Sequence, residues 1–334
     1  MKRTGWRLAA VLAAVAVLIA CICGAAEEFI PPSPEPPDPD GRPRPTPAPT
    51  AMPEKVVIDH INYPREYRDF RFQPDRKLLE IWFPNVRDAD EAILTYDGQV
   101  YMIDCGDERA GARGALLLKQ LGIKKIDILF NSHPHHDHIN GLAVTDDVAK
   151  VEEVKICFPP ESTESGQKML QTAEERNIRV TEYRSGDVFT MGENGEVTLL
   201  FLRNNDPMMD MNNQSAQTMV RYGERTILFT ADMEKNGQAQ LLKHTNPAIL
   251  KCDIVKYPHH AKNAMYEDFF YALDARLAVV TSVQGRKDSG QSYLVAKRLP
   301  AAYTAVKGKF IHLATDGSFW LCEYVQATVQ EDQP

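Results

Sequence analysis

The sequence predicts an α/β domain in which two sheets are covered by helices, and three observations carry that expectation. Between about residues 78 and 326, short runs rich in Val, Ile, Leu and aromatic residues alternate with stretches of helical period, the pattern of sheets with helices packed on them. Roughly 255 residues remain once the N-terminal region is set aside, enough for one α/β unit of two sheets. A cluster of metal-capable side chains, His133 to His138, sits where an apolar run ends and Gly141 follows, as at a strand end turning into a helix. With 43% hydrophobic and 25% charged residues, the composition is that of a globular protein.

The N-terminal region is the exception. Lys2, Arg3 and Arg7 form a basic stretch before the unbroken apolar run Leu8 to Ala20, the pattern of a secretion signal or membrane anchor. Leu18-Ile19-Ala20-Cys21 resembles a bacterial lipobox, in which the Cys is lipidated. Apolar character continues to Ala26, so about 19 residues could span a bilayer uncleaved, and cleavage after Ala26 is a third outcome. Residues 1–26 therefore read as signal peptide, lipoprotein signal or anchor, and each outcome places the body of the protein outside the cytoplasm. Residues 27–54 are rich in Pro and read as a disordered, semi-rigid linker. Residues 55–77 read as an irregular arm, 78–326 as the folded domain, and 327–334 as a disordered tail.

Within the domain, strand-like runs are Leu78–Phe83, Ala92–Tyr96, Val100–Asp104, Ile126–Phe130, Val154–Phe158, Val197–Leu202, Gln217–Tyr222, Thr226–Thr230, Asp253–Tyr257, Leu277–Val283, Phe310–Leu313 and Ser318–Tyr324. Helical patterns fall between them at Ala110–Leu121, Thr163–Arg176, Met233–Lys243, Met265–Leu273 and Tyr293–Leu299. Cys105, Cys157, Cys252 and Cys322 lie in or beside apolar runs and read as small core residues. An exported protein also allows a disulfide, and four Cys permit three pairings.

The chemistry is concentrated in His133-Pro134-His135-His136-Asp137-His138. Imidazole and carboxylate suit zinc, manganese and iron. His133 and His135 can address one metal from an irregular loop, with Asp137 and His138 addressing a second position a few Å away.

This hexamer resembles the signature of the metallo-β-lactamase fold superfamily, which implies an αββα sandwich of two mixed sheets with one or two metals at its edge. Val100 to Gly106 resembles the early strand ending in Asp-x-Gly. Thr226 to Asp232 resembles the strand whose terminal Asp bridges two metals, and Asp253 to His260 the late strand ending in a metal-binding His. The resemblance implies His133, His135, Asp137, His138, Asp232 and His260 or His259 as ligands, with His260 preferred. It implies two divalent ions, zinc or manganese. Asp104 is expected to hold the His loop by hydrogen bonds.

Two branches are most similar. One is the C-terminal domain of the competence protein ComEC, through Leu121 to Asp127, Asn212-Asn213-Gln214-Ser215, Lys256 and Thr315 to Trp320. The other is the secreted phosphorylcholine esterases, through His259-His260-Ala261. Both imply attack on a phosphodiester. Several positions depart from the ComEC pattern. Arg87-Asp88-Ala89-Asp90-Glu91 stands where a Gly-Gln-Gly-Asp turn is expected, Ala231 stands for a Gly before the bridging Asp, and Ala261-Lys262 for Gly-Ser. The middle His of many superfamily members is missing, and Asn212 or Asn213 occupies that region. Asn212 is expected as a substrate or weak metal contact, and Lys256 or His259 as the neutraliser of charge on a phosphate.

The resulting expectation is an exported two-metal phosphodiesterase in which metals bridged by Asp232 activate a water and Asp137 orients it. Its substrate would be a small phosphodiester or a cell-envelope phosphate, and the N-terminal lipid or anchor would tie it to a membrane. The alternatives are a hydrolase of a lactone, thioester or β-lactam, an extracellular nuclease, and a non-catalytic binding module. A formal charge of −8, from 38 Lys+Arg against 46 Asp+Glu, disfavours a nucleic-acid polyanion as partner.

Overall fold

The computed structural model describes residues 55–58 and 70–328. The signal or anchor, the linker, residues 59–69 of the arm (His60 among them) and residues 329–334 of the tail lie outside the described residues.

Among the described residues, the two large sheets have nine and seven strands, and a small third sheet pairs Lys125–Ile126 with Lys150–Val151. The nine-stranded sheet runs, edge to edge, Lys55–Ile58, Trp320–Gln326, Lys309–Thr315, Leu79–Phe83, Glu91–Tyr96, Gln99–Cys105, Ile128–Phe130, Glu153–Ile156 and Arg179–Glu182. It is antiparallel up to Gln99–Cys105 and parallel beyond. The seven-stranded sheet runs Val188–Met191, Val197–Leu202, Gln217–Tyr222, Arg225–Phe229, Ile254–Lys256, Leu277–Val280 and Ala301–Tyr303. Its last four strands are parallel.

The sandwich follows from alternation along single strands. In Val197–Leu202, Val197, Leu199 and Phe201 enter the core shared with Ile81, Ile93, Ile103 and Leu129 of the other sheet. Leu200 and Leu202 point the opposite way, onto a second core built with Leu241, Phe269, Leu273 and Leu294. A strand buried on both faces is apolar on both, which is why Leu199 to Leu202 is a continuous hydrophobic run after the half-buried Thr198. Leu117, Leu118, Met169 and Ala173 of two helices cover the nine-stranded sheet in the same manner. The architecture is αββα.

Helix ends carry their own signals. Asp107 accepts from the Ala110 backbone N–H at 2.7 Å and starts the helix Glu108–Leu121, and Gly122 ends it in the left-handed region at φ 70°. Thr163 caps Glu164–Arg176 in the same way.

Some expectations are corrected. Lys55–Ile58, read as part of an irregular arm, is a strand paired with Trp320–Gln326. Val57 packs with Ala314 and Leu321, against which Phe70 and Phe72 also rest. The strands Arg179–Glu182 and Val188–Met191 are edge strands with little burial, so no hydrophobic run marks them. The helix expected at Tyr293–Leu299 lies four residues earlier at its start, at Ser289–Ala296.

The parallel strands set the position of the site. In the seven-stranded sheet Phe229, Lys256 and Val279 are in register, so Asp232, His259, His260 and Thr281 all follow the carboxyl ends of adjacent strands. In the other sheet Ile103 is in register with Phe130, which puts Asp104 beside Asn131 and Ser132. Crevices at the carboxyl ends of parallel strands are where open α/β sheets place their ligands.

Candidate metal centre

Asp104 organises the His loop. Its Oδ1 accepts from the Ser132 backbone N–H at 2.7 Å and from Asn131 Nδ2 at 2.8 Å. Its Oδ2 accepts from the Ser132 hydroxyl at 2.7 Å and lies 2.8 Å from His138 Nδ1. With Nδ1 donating to this carboxylate, His138 offers the lone pair of Nε2 to the centre. Nε2 is buried and has no hydrogen-bond partner among the described residues.

Asp137, His138, Asp232 and His260 present ligand atoms that all lie within 4.8 Å of one another. His260 Nε2 is 3.3 Å from Asp137 Oδ2 and 3.5 Å from Asp232 Oδ2, and His138 Nε2 is 3.4 Å from the same Asp232 oxygen. His133 joins through ring packing on His138, with centroids 4.1 Å apart, and its Nε2 is 3.0 Å from His135 Nδ1. His259 Nε2 lies 3.6 Å from Asp232 Oδ2, while its Nδ1 is 2.9 Å from Glu234 Oε1. Four of the seven ligand candidates read from the sequence thus form one group, with His259 beside Asp232 and His133 and His135 adjoining His138.

The charge state of the centre tests whether a cation fits. Burial alone would depress the His138 and His260 pKa values. Burial is the largest single effect, but the carboxylates together outweigh it, Asp232 with Asp104 for His138 and Asp232 with Asp90 and Asp137 for His260, and they lift His260 to about 10. Burial would raise Asp232, but His260 and His138 hold it well below the usual carboxylate range. The carboxylates thus draw positive charge into a buried position, where a divalent ion would take the place of those protons. His133 and His135 are held low by burial and by His138, which leaves them neutral and fit to donate lone pairs. Imidazoles and carboxylates at this spacing suit zinc or manganese.

One expected substrate contact is corrected. Lys256 is only 2% exposed, donates to Asp90 and to the Ala231 carbonyl, and stands 4.0 Å from Asp232 Oδ1. It lies behind the ligands and does not face a substrate. Asn213 is a scaffold residue, its Oδ1 accepting from the backbone N–H groups of Glu234 and Gly237. Asn212 holds its loop through its carbonyl, which accepts from Ser215 N–H, while its Oδ1 is buried without a hydrogen-bond partner among the described residues.

Other residues settle into scaffold roles. Cys105 donates to the Ile139 carbonyl, all four Cys of the domain are buried, and Cys105, Cys157 and Cys252 are free thiols. His244 ends a helix. His312 has both ring nitrogens engaged, by Glu80 at 3.0 Å and Glu323 at 3.1 Å.

Asp90, Thr281 and Glu234 were not anticipated. Asp90 is buried, its Oδ1 accepting from Thr281 Oγ1 at 2.7 Å and lying 3.2 Å from His260 Nδ1. The available signal was the Gly-Gln-Gly-Asp turn, whose Gly residues are replaced here while its Asp persists as Asp90. Nothing in the local sequence marks Thr281 or Glu234, which are brought in by tertiary packing.

An αββα sandwich with imidazoles and carboxylates converging at the carboxyl ends of its parallel strands defines a metal-dependent hydrolase. The sequence model of the metallo-beta-lactamase superfamily matches residues 92–296, more than half of the chain, and the chain belongs to that superfamily. It is similar to ComE operon protein 3 of Bacillus subtilis, at 28% identity over 162 residues, covering 48% of this chain and 20% of that one. It is also similar to ribonuclease Z of Treponema denticola, at 31% identity over 130 residues, covering 37% of this chain and 41% of that one. The match thus spans a minor part of each relative. Among solved structures, MEM-A1, a subclass B3 metallo-beta-lactamase from a soil metagenome, aligns at 15% identity with a TM-score of 0.40, over 66% of this chain and 89% of that one.

Proposed function

We propose that the chain is an extracytoplasmic two-metal phosphodiesterase. The observation that carries the reading is a sealed four-donor position, Asp137, His138, Asp232 and His260, next to further imidazoles that share Asp232. In this reading the second metal position takes those four donors, and the first takes His133, His135 and Asp232 with His259. A pair of bound divalent ions supplies Lewis acidity, a lowered pKa for a shared water, and a clamp on the entering and leaving oxygens of an in-line displacement. Asp232 would serve both positions through its carboxylate, and Asp137 would orient the attacking water. Glu234 holds His259 by Nδ1 at the more exposed side of the centre and leaves its Nε2 facing Asp232.

The likeness to a ribonuclease and to a protein of the ComE operon supports a phosphodiester substrate over a lactone, thioester or β-lactam. It also supports a second reading, a nucleic-acid phosphodiesterase. The formal charge of −8 favours small substrates over long polyanions at physiological salt. The extracytoplasmic part rests on the basic residues before the Leu8 to Ala20 apolar run. Among the described residues no helix is long and apolar enough to cross a membrane.

The test is turnover by the zinc- and manganese-loaded protein of bis-p-nitrophenyl phosphate, phosphorylcholine esters, RNA, DNA and nitrocefin at physiological salt. Turnover of the small phosphodiesters is expected. Ready degradation of RNA or DNA with small phosphodiesters untouched selects the nuclease, and hydrolysis of nitrocefin alone ends the phosphodiesterase reading. A fusion reporter that places the domain in the cytoplasm ends the export part.

A further inference from the structure

Behind the ligands lies a chain of polar groups that begins with a buried cation. The Lys256 ammonium donates to Asp90 Oδ2 and, at 3.1 Å, to the Ala231 carbonyl. Asp90 Oδ1 in turn accepts from the Thr281 hydroxyl at 2.7 Å. Thr281 has one proton to give. Since an ionised carboxylate only accepts, that proton goes to Asp90, and Thr281 Oγ1 must then accept from His260 Nδ1, 2.9 Å away. His260 is thereby held in the Nδ1–H tautomer, with its Nε2 lone pair aimed at Asp137 and Asp232. The direction of every bond in this chain is set by the ammonium at its start.

The same amine divides the two oxygens of Asp232. Oδ2 is surrounded by His138, His260 and His259 at 3.4, 3.5 and 3.6 Å. Oδ1 faces Lys256 at 4.0 Å and is buried with no hydrogen-bond partner among the described residues. Buried ion pairs add little to stability on their own, because the desolvation cost cancels most of the attraction. Their value lies in fixing an arrangement.

We infer that Lys256 is a positioning residue for the second metal position, a fixed internal cation that sets the His260 tautomer through Asp90 and Thr281 and restrains Asp232 to donation through one oxygen. This role goes beyond the phosphodiesterase reading and holds for any hydrolase built on this centre, since its test needs no substrate.

The experiment is Co(II) titration of the full chain, reading the visible absorption of bound Co(II) and the dissociation constant against a competing chelator, with thermal unfolding of the metal-free protein alongside. Lys256→Met removes the cation and leaves Asp90 buried without its partner. Asp90→Asn combined with Lys256→Met removes both charges, so folding stability recovers. If the pair positions the ligands, the double variant still binds Co(II) about 10–100-fold more weakly, with altered band intensities as Asp232 swings to two-oxygen donation. If the pair only props the fold, the double variant regains wild-type affinity and spectrum, and the inference is overturned. Wild-type Co(II) binding by Lys256→Met itself also overturns it. Should that single variant fail to fold, the double variant alone decides.

Discussion

On one side of Asp232, His138 and His260 are buried, and each has an oxygen acceptor behind Nδ1, Asp104 in one case and Thr281 leading to Asp90 in the other. On the other side, His135 and His259 are half-buried and His136 is exposed. His133 is buried like His138 and His260, its Nδ1 3.0 Å from the Ser132 hydroxyl that donates to Asp104, so the contrast rests on His135 and on His259, which relies on the partly exposed Glu234. Outer hydrogen bonds fix ring orientation and raise ligand basicity, so the interior position is built for tight retention and the outer one for access. The difference teaches how one centre can hold a metal firmly and still present a reactive face. His312 supplies the control. Both of its nitrogens are taken by carboxylates, so it has no lone pair left for a metal, although it too is a buried His among acids.

The largest effect is expected where the two sides meet. Asp232→Ala removes the shared donor and should lower kcat by about 10³-fold or more, roughly 4 kcal/mol of transition-state stabilisation. Metal analysis after dialysis should find both positions depleted. Retention of two metals with activity would break the comparison at its hinge.

Next in size is the inequality of the two positions. Protein loaded with two zinc ions should lose them to a chelator in two steps, with dissociation constants at least about tenfold apart. His135→Ala should abolish the weaker step and His260→Ala the tighter one. A single step in the wild type, or the reverse assignment, contradicts the difference drawn here.

A smaller effect separates His312 from the metal ligands. Burial would lower its pKa, but the hydrogen bonds to Glu323 and Glu80 raise it. Glu80 and Glu323 are each lowered, chiefly by their hydrogen bonds to His312. A raised His contributes stability below its unfolded value near 6.5 that is lost as pH climbs through the folded value. The lowered Glu residues contribute above about 4.3 and lose that contribution as pH falls. His312→Gln should therefore cost most between about pH 4.5 and 6.5. The cost should be about 0.5–1 kcal/mol after discounting for the partial exposure of both acids, and it should shrink by pH 9. Thermal unfolding at pH 6 and pH 9 checks this, and zinc content should not change.

The smallest effect concerns the backbone that carries the ligands. Ala231, just before Asp232, has φ 45°, and His259, His260 and Ala261 have φ 49°, 52° and 61°. L-residues are strained there. Ala231→Gly should relieve that strain and raise stability by up to about 1 kcal/mol, without altering the order of metal release. Destabilisation on denaturant unfolding would mean that the Ala231 methyl group matters more than its backbone.

Much of this centre could be read residue by residue. The hexamer named four of the side chains that now converge, His133, His135, Asp137 and His138, because ligands close in sequence on one loop stay close in space. Asp232 and His260 were legible through the superfamily resemblance, and the parallel strands that they follow deliver their carboxyl ends to one edge. The substitutions at Ala231 and Ala261 stood out as departures from a Gly pattern, and their positive φ values supply the physical reason for that pattern. Lys256 was misread because a Lys after an apolar strand is usually solvated. Its partner Asp90 comes from a turn 166 positions away, and no local signal connects the two.

The sequence by itself determined the class of fold and the ligand chemistry. Alternation fixes which strand faces are buried, and the types of donor atom fix which cations can bind. Tertiary structure alone decided which groups stand behind those ligands. Asp90, Thr281, Lys256 and Glu234 act through distances between separate strands and loops, and such distances arise only when two sheets close on each other. The edge strand Lys55–Ile58 belongs to the same category, since its pairing is supplied by Trp320–Gln326 at the far end of the chain. Periodicity is local and survives in a linear reading, whereas hydrogen bonding across a core depends on what the fold brings together.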